Sequence, residues 1–264
     1  MFYRPDFRCD DRDPLQQELN RLYDYASDLE TKVLHRSRLN LFHGLMLELL
    51  SSHRLHRLGR ALDIGCNAGG YSRMLSDFGF GEVEGIDIEP ELVERATRAF
   101  ASEKPGAAIR FRVENAEELS ATAAYDFILC TEVIEHTAQP RRVVENLCRA
   151  LAPGGVAVVT LPNACSLPFA KAALKYRLLR RHDDPVFEDH LRYPFWKARG
   201  LFAGRELRLV GTTGTNLVFD ATVLRLIYRT PLFAPLNRLQ FELARRWPFK
   251  YFAQFFFMVW QRPA

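Results

Sequence analysis

Between Leu15 and Leu50 apolar residues return at intervals of three and four (Leu15, Leu19, Leu22, Tyr23, Ala26, Leu29, Val33), which predicts two or three helices. Residues 1–12 are polar and irregular and are expected to form a loose arm. From Leu58 the pattern changes to short apolar runs that alternate with helical spacing. Arg60 to Ile64 reads as a first strand, with a helix from Gly69 onward. "EVEGIDIEP" reads as a second strand, and Pro90 suits the start of the helix that continues through Glu91 to Ala101. "AIRFRVENAEEL" is a third strand with its exit turn, and "YDFILCTEVIEH" contains a fourth. "PRRVVENLCRAL" is the helix after it, and "PGGVAVVTLPN" a turn and fifth strand.

Strand and helix thus alternate from Leu58 to Pro162, the signature of an α/β domain with a parallel sheet and right-handed crossovers. After Asn163 the alternation weakens. A basic stretch "PFAKAALKYRLLRRH" precedes an acidic and aromatic segment "DDPVFEDHLRYPFW", and the chain closes on an aromatic tail. The expected organisation is an arm and helical cap over 1–55, a cofactor-binding half over 56–162, and a substrate-facing half of the same domain over 163–264.

Composition changes this picture little. The 264 residues are 48% hydrophobic and 26% charged, as in an ordinary globular protein, and the formal charge is only +4. Five scattered cysteines with no CxxC pair count against a disulfide framework or a thiolate zinc site, and fit a reducing cytoplasm. The N-terminal residues hold no apolar run of the secretory kind, and no stretch reaches the ~18 apolar residues needed to span a bilayer. A cytoplasmic location is therefore expected.

Chemistry enters at "ALDIGCNAGGYSRML", which runs from a strand through a small-residue turn into a helix. Ligands of open α/β sheets sit beyond the carboxyl ends of the strands. A dinucleotide fingerprint would place a second glycine where this chain has Asn67, between Gly65 and Gly69, and that weakens a pyrophosphate reading. Asp87 ends the second strand with Ile88 beside it; a carboxylate there accepts hydrogen bonds from both ribose hydroxyls and repels a 2′-phosphate. Asn115, at the exit of the third strand, is placed to meet an adenine edge.

With these features in order, the sequence resembles the class I S-adenosylmethionine-dependent methyltransferases over roughly Leu58 to Pro162. The resemblance implies that the loop from Asp63 through Gly65, Cys66 and Asn67 to Gly69 wraps the methionine part of S-adenosyl-L-methionine. It implies that Asp87 and Ile88 hold the ribose side, that Asn115 and Ala116 meet the adenine, and that Thr131 borders the site. The family more often has Asp where this chain has Asn115. It also implies a Rossmann-like, seven-stranded, mostly parallel sheet with helices on both faces and an antiparallel last strand, for which "KYFAQFFFMVWQ" is the candidate.

"TEVIEHT" follows the fourth strand and should lie near the transferred methyl group. His136 is the candidate base, because imidazole titrates near ~6.5 and a hydroxyl acceptor must lose a proton; Glu135 is a second catalytic candidate. If a helix begins here, Glu132, Glu135 and His136 share one turn and would hold Mg²⁺ or Mn²⁺ with a fourth ligand. In that respect the segment resembles small-RNA 3′-terminal 2′-O-methyltransferases, with His190, or else His182, as the later histidine. An "EH" after the fourth strand also resembles methyltransferases of quinone, glycan and small-metabolite pathways, where no metal is implied.

The stretches 171–181 and 225–250 are basic and, in the second case, interleaved with aromatics, which suits an anionic partner or a membrane surface at the periphery of the protein. With low net charge and no RNA-binding module, the expectation is O-methylation of a small molecule, glycan or lipid-linked acceptor rather than RNA. The alternative from another class is a non-catalytic, methyltransferase-like binding subunit.

Overall fold

The computed structural model describes residues 3–23, 29–100, 108–170, 174, 192–217, 223 and 226–264. Two helices, α1 (Pro14–Tyr23) and α2 (Leu29–Ser51), precede a sheet of seven strands. Its parallel part is built from β1 (Arg60–Ile64), α3 (Gly70–Asp77), β2 (Glu82–Asp87), α4 (Pro90–Phe100), β3 (Ala108–Val113), β4 (Tyr125–Thr131), α5 (Pro140–Ala150) and β5 (Leu151–Pro162). A short helix Phe195–Gly200, β6 (Arg208–Thr215), a helix Phe233–Ala244 and β7 (Phe255–Gln261) complete the order. The strands lie in the order β3-β2-β1-β4-β5-β7-β6, and β7 runs antiparallel to both of its neighbours.

Strand periodicity explains how this sheet separates two cores. Successive side chains point to opposite faces. Phe127, Leu129, Val156, Val158, Phe257 and Val259 pack on one face against Phe42, Met46 and Leu75 of α2 and α3. Ile128, Cys130, Ala157, Val159, Met258 and Trp260 pack on the other against Val144 and Leu147 of α5. Central strands buried on both sides read as unbroken apolar runs, which is why "FILC" and "VAVVTL" stand out in the sequence. The closing strand was legible for the same reason. The sixth strand was not: in "RLVGTTGT" only Leu209 and Val210 are large and apolar, and most positions are partly exposed.

The N-terminal arm differs from expectation. Instead of hanging loose, residues 3–13 are fastened to α2. The Tyr3 hydroxyl donates to Asn40 Oδ1 at 2.6 Å, Asn40 Nδ2 donates to the Asp6 carbonyl at 2.7 Å, and Arg36 Nη2 donates to the Arg4 carbonyl at 3.0 Å. Lys32 Nζ meets Asp11 at 2.9 Å and the Tyr228 hydroxyl at 3.0 Å, joining arm, cap and C-terminal segment. These partners serve Lys32, Arg36 and Asn40, three of the polar side chains that α2 buries. All five cysteines are free. Among the described residues, no helix is long and apolar enough to cross a membrane.

Candidate functional site

Strand order reverses between β1 and β4, and the crevice beyond that point is where open α/β sheets take ligands. A cleft of about 740 Å³ lies there, lined by the residues that follow β1 (Gly65, Cys66, Asn67), β2 (Asp87, Ile88) and β3 (Asn115, Ala116), and by those at the end of β4 (Thr131, Glu132, Val133). The loops that carried the sequence motifs therefore meet in one place.

The first loop is shaped by its backbone. Gly65 has φ +73°, and a Cβ there would overlap the Val133 side chain. At Gly69, with φ +84°, a Cβ would come within 2.6 Å of Phe100 and 2.8 Å of Phe111. Both glycines are required by close approach as well as by conformation. Asn67 occupies the left-handed region at φ +48°, a conformation that asparagine tolerates better than most side chains. Its Oδ1 accepts the Ala68 N–H at 2.6 Å, and its own N–H donates to Asp87 Oδ2 at 2.9 Å. Asp87 Oδ1 accepts the Glu89 N–H at 3.1 Å, so backbone donors on two sides fix this carboxylate at the cleft. Asn115 closes its own turn by accepting the Glu117 N–H at 2.9 Å.

Two residues of the expected cofactor loop stand elsewhere. Asp63 is fully buried and is not part of the cleft wall; it accepts the Ser72 hydroxyl at 2.7 Å and so ties β1 to α3. Burial pushes its carboxyl up to about 7. Gly69 packs under Phe100 and Phe111 rather than facing the cleft.

The β4 exit also departs from expectation. Ile134–His136 forms a single 3₁₀ turn, and Glu132 precedes it at φ +53°. The three polar side chains therefore do not share a helical face. Glu132 is held from two sides: its N–H donates to Thr160 Oγ1 at 3.1 Å, the Thr160 hydroxyl donates back to Oε1 at 2.7 Å, and Arg38 Nη1 lies 3.5 Å from Oε2. Glu135 is turned inward and is only 3% exposed. Its burial, and next the Glu132 carboxylate, push its carboxyl well above the usual range. Glu135, expected as a second catalytic group, is thus buried beneath the cleft surface beside Glu132 and His136. His136 lines the cleft, with its side chain 46% exposed and Nε2 4.0 Å from Glu135 Oε1.

The expected metal set is not assembled. A cation, Arg38, already stands against Glu132, Glu135 is buried, and no group of metal-ligating side chains is found among the described residues. His190 and His182 lie outside the described residues, as does most of 171–181.

Sequence reasoning missed the cleft wall supplied by the helical cap: Tyr23, Thr31, His35 and Arg38, with Tyr71 of α3. The Tyr23 hydroxyl accepts the Gly70 N–H at 3.0 Å at the start of α3. Burial, reinforced by Arg38 and Arg36, holds His35 well below the usual imidazole range. The run "HRSR" in α2 was the available signal for His35 and Arg38.

Comparison with known proteins agrees with this geometry. A family model described as a methyltransferase domain matches residues 33–201. A ubiquinone biosynthesis O-methyltransferase of Xanthomonas axonopodis pv. citri is 32% identical over 146 residues, which span 54% of this chain and 59% of that protein. Its counterpart from Rickettsia canadensis is 35% identical over 102 residues, 39% of this chain and 42% of that one. The chain thus matches about half the length of these relatives, or less. Among solved structures, the magnesium protoporphyrin IX methyltransferase of Synechocystis, with S-adenosylhomocysteine bound, superposes with a TM-score of 0.63 at 14% identity, covering 93% of each chain.

Fold and cleft together define a class I S-adenosylmethionine-dependent methyltransferase. The chain belongs to the methyltransferase-domain family.

The cleft also fits the cofactor of that class. Asp87 presents a fixed carboxylate for a ribose diol, and Ile88, 60% exposed beside it, offers an apolar wall. Gly65 permits close backbone approach, and no phosphate-sized cradle of glycines is present in the loop.

Proposed function

We propose that this chain transfers a methyl group from S-adenosylmethionine to a hydroxyl of a small aromatic acceptor, of the quinone-precursor kind named for its relatives. The observation that carries the reading is His136: it lines the same cleft as Asp87, at the end where β4 delivers Thr131 and Glu132. When bound, the cofactor supplies an electrophilic methyl on a sulfonium. Asp87 and the β1 loop orient it. His136 takes the acceptor's proton as the oxygen–methyl bond forms and the sulfur–methyl bond breaks, leaving S-adenosylhomocysteine. Arg38 and the Thr160 hydroxyl hold Glu132 at the edge of the cleft, and His35 and Arg38 of the cap, with Tyr71 of α3, wall the acceptor side.

The test is incubation with S-adenosylmethionine and a catechol, with the methyl ether and S-adenosylhomocysteine quantified by mass spectrometry. One methyl ether per S-adenosylhomocysteine is expected, with turnover lower by about 10²-fold or more in His136→Ala at nearly unchanged cofactor affinity. A His136→Ala enzyme of full activity would remove the base. Cofactor binding without turnover on any hydroxylated aromatic would favour the non-catalytic binding subunit.

A further inference from the structure

Six of the thirteen large apolar side chains exposed among the described residues fall between Arg229 and Phe252: Leu232, Leu236, Leu239, Trp247, Phe249 and Phe252. The same stretch holds five basic residues and one acid, a net charge equal to the +4 of the entire chain. The remainder of the protein is thus electrically balanced, and the positive charge and the uncovered apolar surface coincide.

Their arrangement is ordered. Helix Phe233–Ala244 buries Phe233, Asn237, Gln240, Phe241 and Ala244. Leu232, Leu236 and Leu239 follow one another at steps of four and three and so share a different face, on which they are 61%, 38% and 55% exposed. Arg238 flanks that face and Arg246 follows the helix, both exposed. The chain then turns directly into Trp247, 77% exposed, and the 3₁₀ turn Phe249–Tyr251. This end is anchored at the carboxyl edge of the sheet: Asn163 Nδ2 donates to the Tyr251 carbonyl at 2.8 Å, and the Leu167 N–H to the Phe252 carbonyl at 3.1 Å. The cleft opens on that same edge.

We infer that this face docks the protein on an anionic lipid bilayer, with the leucines, Trp247 and Phe249 in the headgroup and acyl boundary and the arginines against acidic headgroups. Interfacial helices bind through this pairing of an apolar face with a basic border, and aromatic side chains favour the interfacial zone. Two copies of so positive a face would repel, which disfavours self-association through it. Leu232, Leu236 and Leu239 give no stacking platform for nucleic-acid bases, whereas Trp247 and Phe249 do, and single-stranded RNA is therefore the alternative that the experiment separates. The docking face is separate from the chemistry of the cleft and holds for whatever acceptor the cleft takes.

The experiment is co-sedimentation of the full chain with phosphatidylcholine vesicles, with and without phosphatidylglycerol. Binding is expected only when phosphatidylglycerol is present, weakening as salt is added. Trp247→Ser with Phe249→Ser should lower partitioning at least about tenfold, and Leu236→Ser with Leu239→Ser should do the same. Circular dichroism and S-adenosylhomocysteine affinity report that both variants are folded. No sedimentation of the wild-type chain, or equal sedimentation of folded variants, would overturn the inference. Salt-sensitive binding of single-stranded RNA that these variants abolish, without vesicle binding, would overturn it in favour of a nucleic acid.

Discussion

The backbone N–H of Asn67 donates to the Asp87 carboxylate at 2.9 Å, so the β1 loop and the end of β2 are locked together before any ligand arrives. A residue that departs from the glycine pattern of nucleotide loops thus positions the acid expected to hold the ribose. Its left-handed φ of +48° is the reason that asparagine suffices.

Asn67→Gly should accordingly keep the loop, at a cost of about 1 kcal/mol or less, since only the bond from Oδ1 to the Ala68 N–H is lost. Asn67→Val should cost roughly 1–3 kcal/mol, because a β-branched side chain is strained at this φ. Chemical denaturation of the two variants checks this. Equal stability would show that the conformation is not the constraint.

Asp63 gives the protein a pH signature. Its folded carboxyl, at about 7, lies above the ordinary 3.8, so the folded state retains a proton that the unfolded state releases. Its contribution is fully present below about pH 4 and is lost as pH rises through 7, up to about 4 kcal/mol at 1.4 kcal/mol per unit. Glu135, shifted in the same direction, extends the decline to higher pH. Denaturation midpoints of the wild type and Asp63→Asn between pH 5 and 8 should show a shallower decline in the variant. Parallel profiles would contradict the assignment.

Arg38 and Glu132 join the cap to the carboxyl end of β4 at 3.5 Å, each less than a fifth exposed. Arg38→Leu leaves Glu132 beside buried Glu135 without that cation, and should cost about 2–3 kcal/mol of stability. Adding Glu132→Gln should return much of the loss. A double-mutant cycle by thermal melting measures the coupling, and additive losses would show the pair to be incidental.

What could be read in advance follows burial. β1, β4, β5 and β7 are covered on both faces, so their apolar runs announced them, and the glycines, Asp87 and the β4 exit were fixed by their places at strand ends. β6 escaped because "GTTGT" carries no large apolar side chain, and it pairs along its length with β7. The orientation of Glu135 was also illegible. It depends on a left-handed Glu132 and a 3₁₀ turn, set by Thr160 from β5 and Arg38 from α2, which are far apart in sequence. The cap's share of the cleft is long-range in the same way, since Tyr23, His35 and Arg38 meet Asp87 and His136 only after α2 packs on the sheet.

The cleft as the seat of the cofactor is tested most directly by calorimetric titration of S-adenosylhomocysteine into the wild type and into Asp87→Ala. The wild type should bind one equivalent. The variant, losing two charge-assisted hydrogen bonds to the ribose at ~1.5–3 kcal/mol each, should bind at least tenfold more weakly while melting as a folded protein. Equal affinity in the folded variant, or no binding by the wild type, would contradict the account.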